Sequence, residues 1–167
     1  RGLNIGSLDA DDLRFAQAHL RILSGLHGVL RPLDLIQPYR LEMGTPLPMG
    51  RGRKNLYHFW GDRITDNLNA AMRKSGSEVL IDLASAEYFK SVRQERLEGR
   101  IITPLFKEDR PGGPKMLMTY AKHQRGAMAR WIIRHRLMDP EKIKQYAGDG
   151  YRFDAASSSA DEWVFLR

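Results

Sequence analysis

Leu13, Ala16, Leu20 and Leu23 recur at three- and four-residue spacing, the period of one face of a helix. Ser7 or Asp9 can cap this helix, Asp11 and Asp12 favour its first turn, and it is predicted to run to about Leu23. Gly25 to Gly28 stops it. Pro32 can open a short second helical piece and Pro38 closes it. The stretch 44–54, GTPLPMGRGRK, reads as a basic glycine–proline loop. Ile64, Leu68 and Ala71 mark another amphipathic helix from about Asp62 to Lys74, with Gly76 as its stop.

Beyond it the period changes. EVLIDLA, 78–84, is predicted to be a mostly buried strand, followed by a short helix that Ser85 caps. Ile101 to Lys107 is a second strand, and the glycines of PGG at 111–113 turn the chain into a third, KMLMTY. The longest helix is expected from about Ala121 to Leu137. Asp139-Pro140-Glu141 is a cap, a first-position proline and a first-turn acid for one more short helix. YRFD and EWVFL, separated by AASSSAD, read as paired strands. The expected fold is α+β in one domain over 1–167, a mixed sheet with flanking helices.

Charge changes this picture. Lys and Arg total 27 against 20 Asp and Glu, a net charge of +7, which favours polyanionic partners such as nucleic acid. The absence of cysteine excludes disulfides, thiolate nucleophiles and Cys-ligated metals from this chain. No apolar run approaches the ~18 residues of a membrane span. The five histidines show no ligand spacing, so neither a metal nor a cofactor is expected.

Three stretches could carry chemistry. In SGLHG the glycines allow amides at Gly25, Leu26, His27 and Gly28 to point at one phosphate, with Arg31 and Arg40 as direct contacts. The alternative is a helix C-cap and a chain reversal. The expected helix after Tyr120 carries Lys122, Arg125 and Arg130 without an acid, and Lys122 and Arg125 would lie near its positive end, where an anion would offset them. Ser85, Glu87, Tyr88 and Lys90 follow a strand directly, and with Lys122 could serve acid–base or Schiff-base chemistry. The other reading is a serine cap with Tyr88 and Phe89 packed inward.

FAQAHLRILSGLHGVLRPLDLIQPYRLEMG, FWGDRIT, IDLASAEYFKSV, YAKHQRGAMARWII and GYRFDAASSSADEWVFLR together resemble, in order, the YaaA family of bacterial peroxide-stress-resistance proteins. The resemblance implies a cytoplasmic DNA-binding protein that limits intracellular iron during hydrogen peroxide stress. It also implies a mixed α/β fold with a helix-hairpin-helix turn, which falls here on Leu23 to Arg31. It further implies about a third more chain before residue 1, so self-association through exposed strand edges is an expectation. His27 stands where the family pattern has an aromatic such as tyrosine. The expected function is DNA binding led by phosphate and shape contacts, with a glycosylase- or lyase-like enzyme as the alternative.

Overall fold

The computed structural model describes residues 2–47 and 54–167. The basic loop expected over 44–54 therefore lies outside the described residues from 48 to 53. The chain forms two compact units. One comprises the residues through Phe15, Val79–Leu83 and Arg100–Arg167, and the other comprises Ala16–Glu78 and Ala84–Gly99.

The first unit is built on a four-stranded sheet in the order β3-β4-β6-β5. Its members are β3 (Val79–Ile81), β4 (Arg100–Lys107), β5 (Arg152–Phe153) and β6 (Glu162–Leu166). β3, β4 and β6 are parallel, and β5 runs antiparallel to β6 with Phe153 opposite Phe165. In β4, Ile102 and Phe106 are buried on alternate positions of one face, as a period of two requires. Pro104 is tolerated because β3 ends opposite Ile102. The carbonyl of Ile102 accepts from the Asp82 amide, so residue 104 turns its missing N–H toward the same edge, past the end of β3.

α5 (Met118–His135) covers this sheet with Ala121, Ala127, Met128 and Ile133. Phe106 packs edge-on to Tyr146 and Tyr151 and stacks on Phe165 at 5.4 Å, at the centre of the core. The expected strand KMLMTY is not formed. Its only sheet-like pairing is the Glu108–Lys115 bridge, and from Met118 the chain is already helical. After α5 a 3-10 helix spans Pro140–Gln145, and the Asp139 carboxylate accepts from the Glu141 amide at 3.0 Å, the cap that was expected. Ser158 ties the β5–β6 loop: its hydroxyl donates to the Asp154 carbonyl and accepts from the Val164 amide.

α1 (Ala10–His19) opens on a reciprocal cap, with the Asp12 amide donating to the Asp9 carboxylate at 2.8 Å and the Asp9 amide donating to the Asp12 carboxylate at 3.4 Å. It ends four residues short of the expected Leu23. The cause is local: the Arg21 guanidinium donates to the carbonyls of Gln17 and Leu20, satisfying the helix end.

In the second unit the chain then forms a two-stranded antiparallel hairpin, β1 (Ile22–Ser24) and β2 (Gly28–Leu30). Expectation and structure part here: the glycine turn joins two strands and not two helices, so it is no helix-hairpin-helix element. Among the described residues no helix follows Pro32 until α2 (Leu56–Trp60). α3 (Arg63–Ser75) matches its expected limits, starting after Asp62 and stopping at Gly76 in the left-handed region. The amides of Gly76 and Ser77 close the last turn on Arg73 and Met72. Ile64, Leu68 and Met72 form its buried stripe. α4 (Ala86–Phe89) follows Ser85, whose side chain makes no capping bond. Leu56, Phe89 and Val92 are buried in the same unit. Among the described residues no helix is long and apolar enough to cross a membrane.

Candidate functional site

The SGLHG turn is held from both sides. Ser24 and Gly28 face each other across the hairpin, leaving Gly25, Leu26 and His27 as a three-residue loop. The buried Ser24 hydroxyl accepts from the His27 amide at 2.9 Å and is bonded to the Tyr39 hydroxyl. Trp60 donates its indole N–H to the Gly25 carbonyl at 3.0 Å. Gly28 has φ of 73°, and a Cβ there would lie 2.8 Å from the Trp60 ring; a Cβ on Gly25 would lie 2.6 Å from the Leu41 carbonyl oxygen. Both glycines are thus required by close packing. Leu26 and His27 are exposed at the tip, and the His27 ring meets Tyr39 edge-on at 5.3 Å.

Beside this hairpin lies a groove of about 380 Å³ lined by Arg21, Val29, Arg31, Asp34, Asn67, Ala70, Ala71 and Lys74. One wall is β2 with the turn after it. The other is the outer face of α3, where residues 67, 70, 71 and 74 fall on one side by helical spacing. Asp34 is bound by Arg31 in three ways: from the backbone amide at 2.8 Å, from Nη2 at 2.9 Å and from Nε at 3.2 Å. These bonds, the backbone one first, hold the Asp34 carboxyl below the usual carboxylate range. The half-buried Arg21 is shifted the other way from a comfortable cation: burial first, and then the positive charge of Arg31, lower its pKa. Three cations therefore share the groove with one carboxylate, and that carboxylate is already engaged.

Arg40, Glu87, Tyr88 and Lys90 have ordinary partners. Arg40 is exposed and lies 3.7 Å from Glu42. Glu87 accepts the Gly44 amide at 2.8 Å, Tyr57 donates to the Glu87 carbonyl, and Lys90 sits 5.2 Å over the Tyr57 ring. Burial, followed by the Glu87 charge, raises the phenols of Tyr57 and Tyr88, which keeps them protonated. These contacts fasten the 42–44 turn to α4.

Lys122 and Arg125 belong to the other unit. Because α5 begins at Met118, they occupy its second and third turns, and the positive helix end that was expected to burden them lies further back. Lys122 is exposed, Arg125 is half-buried with the Asp82 carboxylate acting on it, and Arg130 acts on the Tyr146 phenol.

The family model described as peroxide stress protein YaaA matches residues 1–157. The chain belongs to that family. A UPF0246 protein of Neisseria meningitidis serogroup B is 51% identical over 166 residues, and UPF0246 proteins of Ralstonia pickettii and Magnetococcus marinus are 55% and 54% identical over the same length. Each alignment covers 99% of this chain and 64% of the relative, so the chain spans just under two thirds of the relatives it matches.

Within this YaaA-family chain, sequence reading found Arg31 but missed Arg21, Asn67 and Lys74. Arg21 lies inside the span read as helix, and Lys74 reads as a last-turn cation favoured by the helix dipole. No local pattern signals that the two converge, because the hairpin and α3 are separated by more than thirty residues of chain. Among the described residues no group of His, Asp or Glu side chains is placed to hold a metal ion.

Proposed function

We propose that this chain is a cytoplasmic DNA-binding member of the peroxide stress response, acting where iron-driven oxidative damage must be limited and binding mainly through phosphate and shape. Membership of the YaaA peroxide stress family supports the response. The observation that carries DNA binding is the groove in which Arg21, Arg31 and Lys74 outnumber Asp34. The net charge of +7 and the acid-free run of Lys122, Arg125, Arg130 and Arg134 along α5 agree with it. Arg31 can still donate outward while Asp34 fixes its plane, an arrangement suited to phosphate oxygens. The turn glycines would then shape the hairpin, while the arginines and Lys74 make the contacts. Arg40, exposed and 3.7 Å from Glu42, would add a weak screened contact.

The test is binding of a labelled duplex across a salt series. Affinity should fall linearly on logarithmic axes. Lys74→Gln and Arg31→Ala should each weaken binding at every salt concentration and reduce the slope by about 1. Salt-independent binding, or both variants binding like wild type, would refute the assignment.

A further inference from the structure

The charge and size of the same groove point to a more specific ligand. We infer that the groove between β2 and α3 is a site for a phosphomonoester, either the phosphorylated end of a DNA strand or a free mononucleotide. This inference rests on the phosphate-binding reading above and sharpens it.

The first support is the charge count within the groove. Arg31 and Asp34 neutralise each other through the paired contacts at 2.9 and 3.2 Å. Arg21 and Lys74 remain. Arg21 donates to carbonyl oxygens through Nη1 and feels Asp34, the carboxylate already paired with Arg31, while Lys74 has no carboxylate partner among the described residues. The uncompensated charge is therefore two positive units. A phosphomonoester carries close to two negative charges at neutral pH, with its second ionisation at about 6, whereas an internal phosphodiester carries one. A dianion matches this surplus.

The second support is shape. A volume of about 380 Å³ lies at the lower end of pockets for small ligands, roughly 300–1,000 Å³, which suits a single nucleotide. The cations stand on both walls, Arg21 and Arg31 on one and Lys74 on the other. Ala70, Ala71 and Val29 line the same groove with small apolar side chains. A sugar or base edge can rest there without displacing a long side chain. Asn67, one turn before the alanines, supplies an uncharged amide that can both donate and accept. A binding surface for internal phosphates alone would need no neutral polar group beside the cations.

The experiment compares a short DNA hairpin bearing a 5′-phosphate with the same hairpin bearing a 5′-hydroxyl, and adenosine 5′-monophosphate with adenosine, all against the full chain. The phosphorylated hairpin, which carries close to two further negative charges, should bind at least about fivefold more tightly at this partly exposed site. Amide resonances of Ala70, Ala71 and Lys74 should shift, and Lys74→Gln should abolish the preference. Lys74 is exposed on α3, so this variant keeps the fold; Arg21→Gln is the second variant. If adenosine 5′-monophosphate shifts the same resonances with matching affinity, the source is a free nucleotide; if only the hairpin end does so, it is a strand terminus. Equal affinity for the two hairpins together with no difference between the nucleotide and the nucleoside, or a preference that survives both variants, overturns the inference. Salt-dependent binding of the hydroxyl hairpin in that case leaves the DNA-binding reading standing. Binding of the nucleotide without any DNA binding would do the reverse.

Discussion

Replacing Gly28 with alanine tests what the glycine turn is for. Gly28 has φ of 73°, a conformation that costs an L-residue about 1–2 kcal/mol. The new methyl would also stand 2.8 Å from Cζ3 and 3.0 Å from Cη2 of Trp60. That ring cannot retreat freely, because its indole N–H is bonded to the Gly25 carbonyl at 3.0 Å. Overpacking of this kind adds about 1–3 kcal/mol. The sum is about 2–5 kcal/mol.

Gly76→Ala is the control: its φ of 67° is similar, but nothing lies within 4 Å of its Cβ position, so only about 1–2 kcal/mol is expected. Urea unfolding followed by tryptophan emission, with amide exchange at Val29 and Leu30 as the local probe, measures both. At a slope of about 2 kcal/mol/M the Gly28→Ala midpoint should fall by roughly 1–2.5 M. Equal costs for the two substitutions would refute the Trp60 contact as the restraint. Unchanged stability with lost DNA binding would return Gly28 to the role of a phosphate cradle.

Two further outcomes follow from the first unit. Glu108 is buried, accepts from the Tyr151 hydroxyl and is paired with Arg167 at 3.0 Å; the Tyr151 bond is the largest influence lowering its carboxyl pKa. A lowered carboxylate stabilises the fold above its unfolded pKa of about 4.3 and loses that contribution as pH falls through the lower folded value. Glu108→Gln should therefore be less stable than wild type at pH 7, by about 1–3 kcal/mol, and the difference should vanish in acid unfolding titrations near pH 2. A constant difference across the range would count against the ion pair. The Tyr146 phenol is pushed up to about 12, by burial first and Asp149 second. The unfolded phenol ionises near 10, so this group alone should make stability decline by up to about 1.4 kcal/mol per pH unit between those values, and Tyr146→Phe should remove that share of the slope. Because the Tyr146 hydroxyl donates to the buried Gln124 at 2.6 Å, the variant should also cost about 1–3 kcal/mol at neutral pH.

How much was legible in the sequence depended on the range of the interactions involved. α3 could be read closely because its apolar stripe and its Gly76 stop are local, and the 3-10 helix after Asp139 because cap, proline and acid are adjacent. β4 and β6 could be read from alternation and apolar content. The errors fell on segments whose local preference is weak. Leu20 to Leu23 continues a helical spacing, yet the Arg21 side chain closes the helix and Ile22 pairs with Leu30. Met116 to Tyr120 has residues acceptable to strand and helix alike, and the helix wins from Met118 onward.

Sequence by itself determined the α+β class, the basic character, the absence of thiol chemistry and, through its ordered segments, the resemblance to the YaaA family. Those properties sit in composition, period and residue order, which need no partner in space. Only the tertiary structure decided that the glycine turn joins strands, because Trp60 and Tyr39 hold it from distant positions. It alone brought Arg21, Arg31 and Lys74 to one groove, and it alone set the Asp82 carboxylate against Arg125. Charges act through space with a strength set by distance and burial, and neither quantity is written in the spacing of residues along a chain.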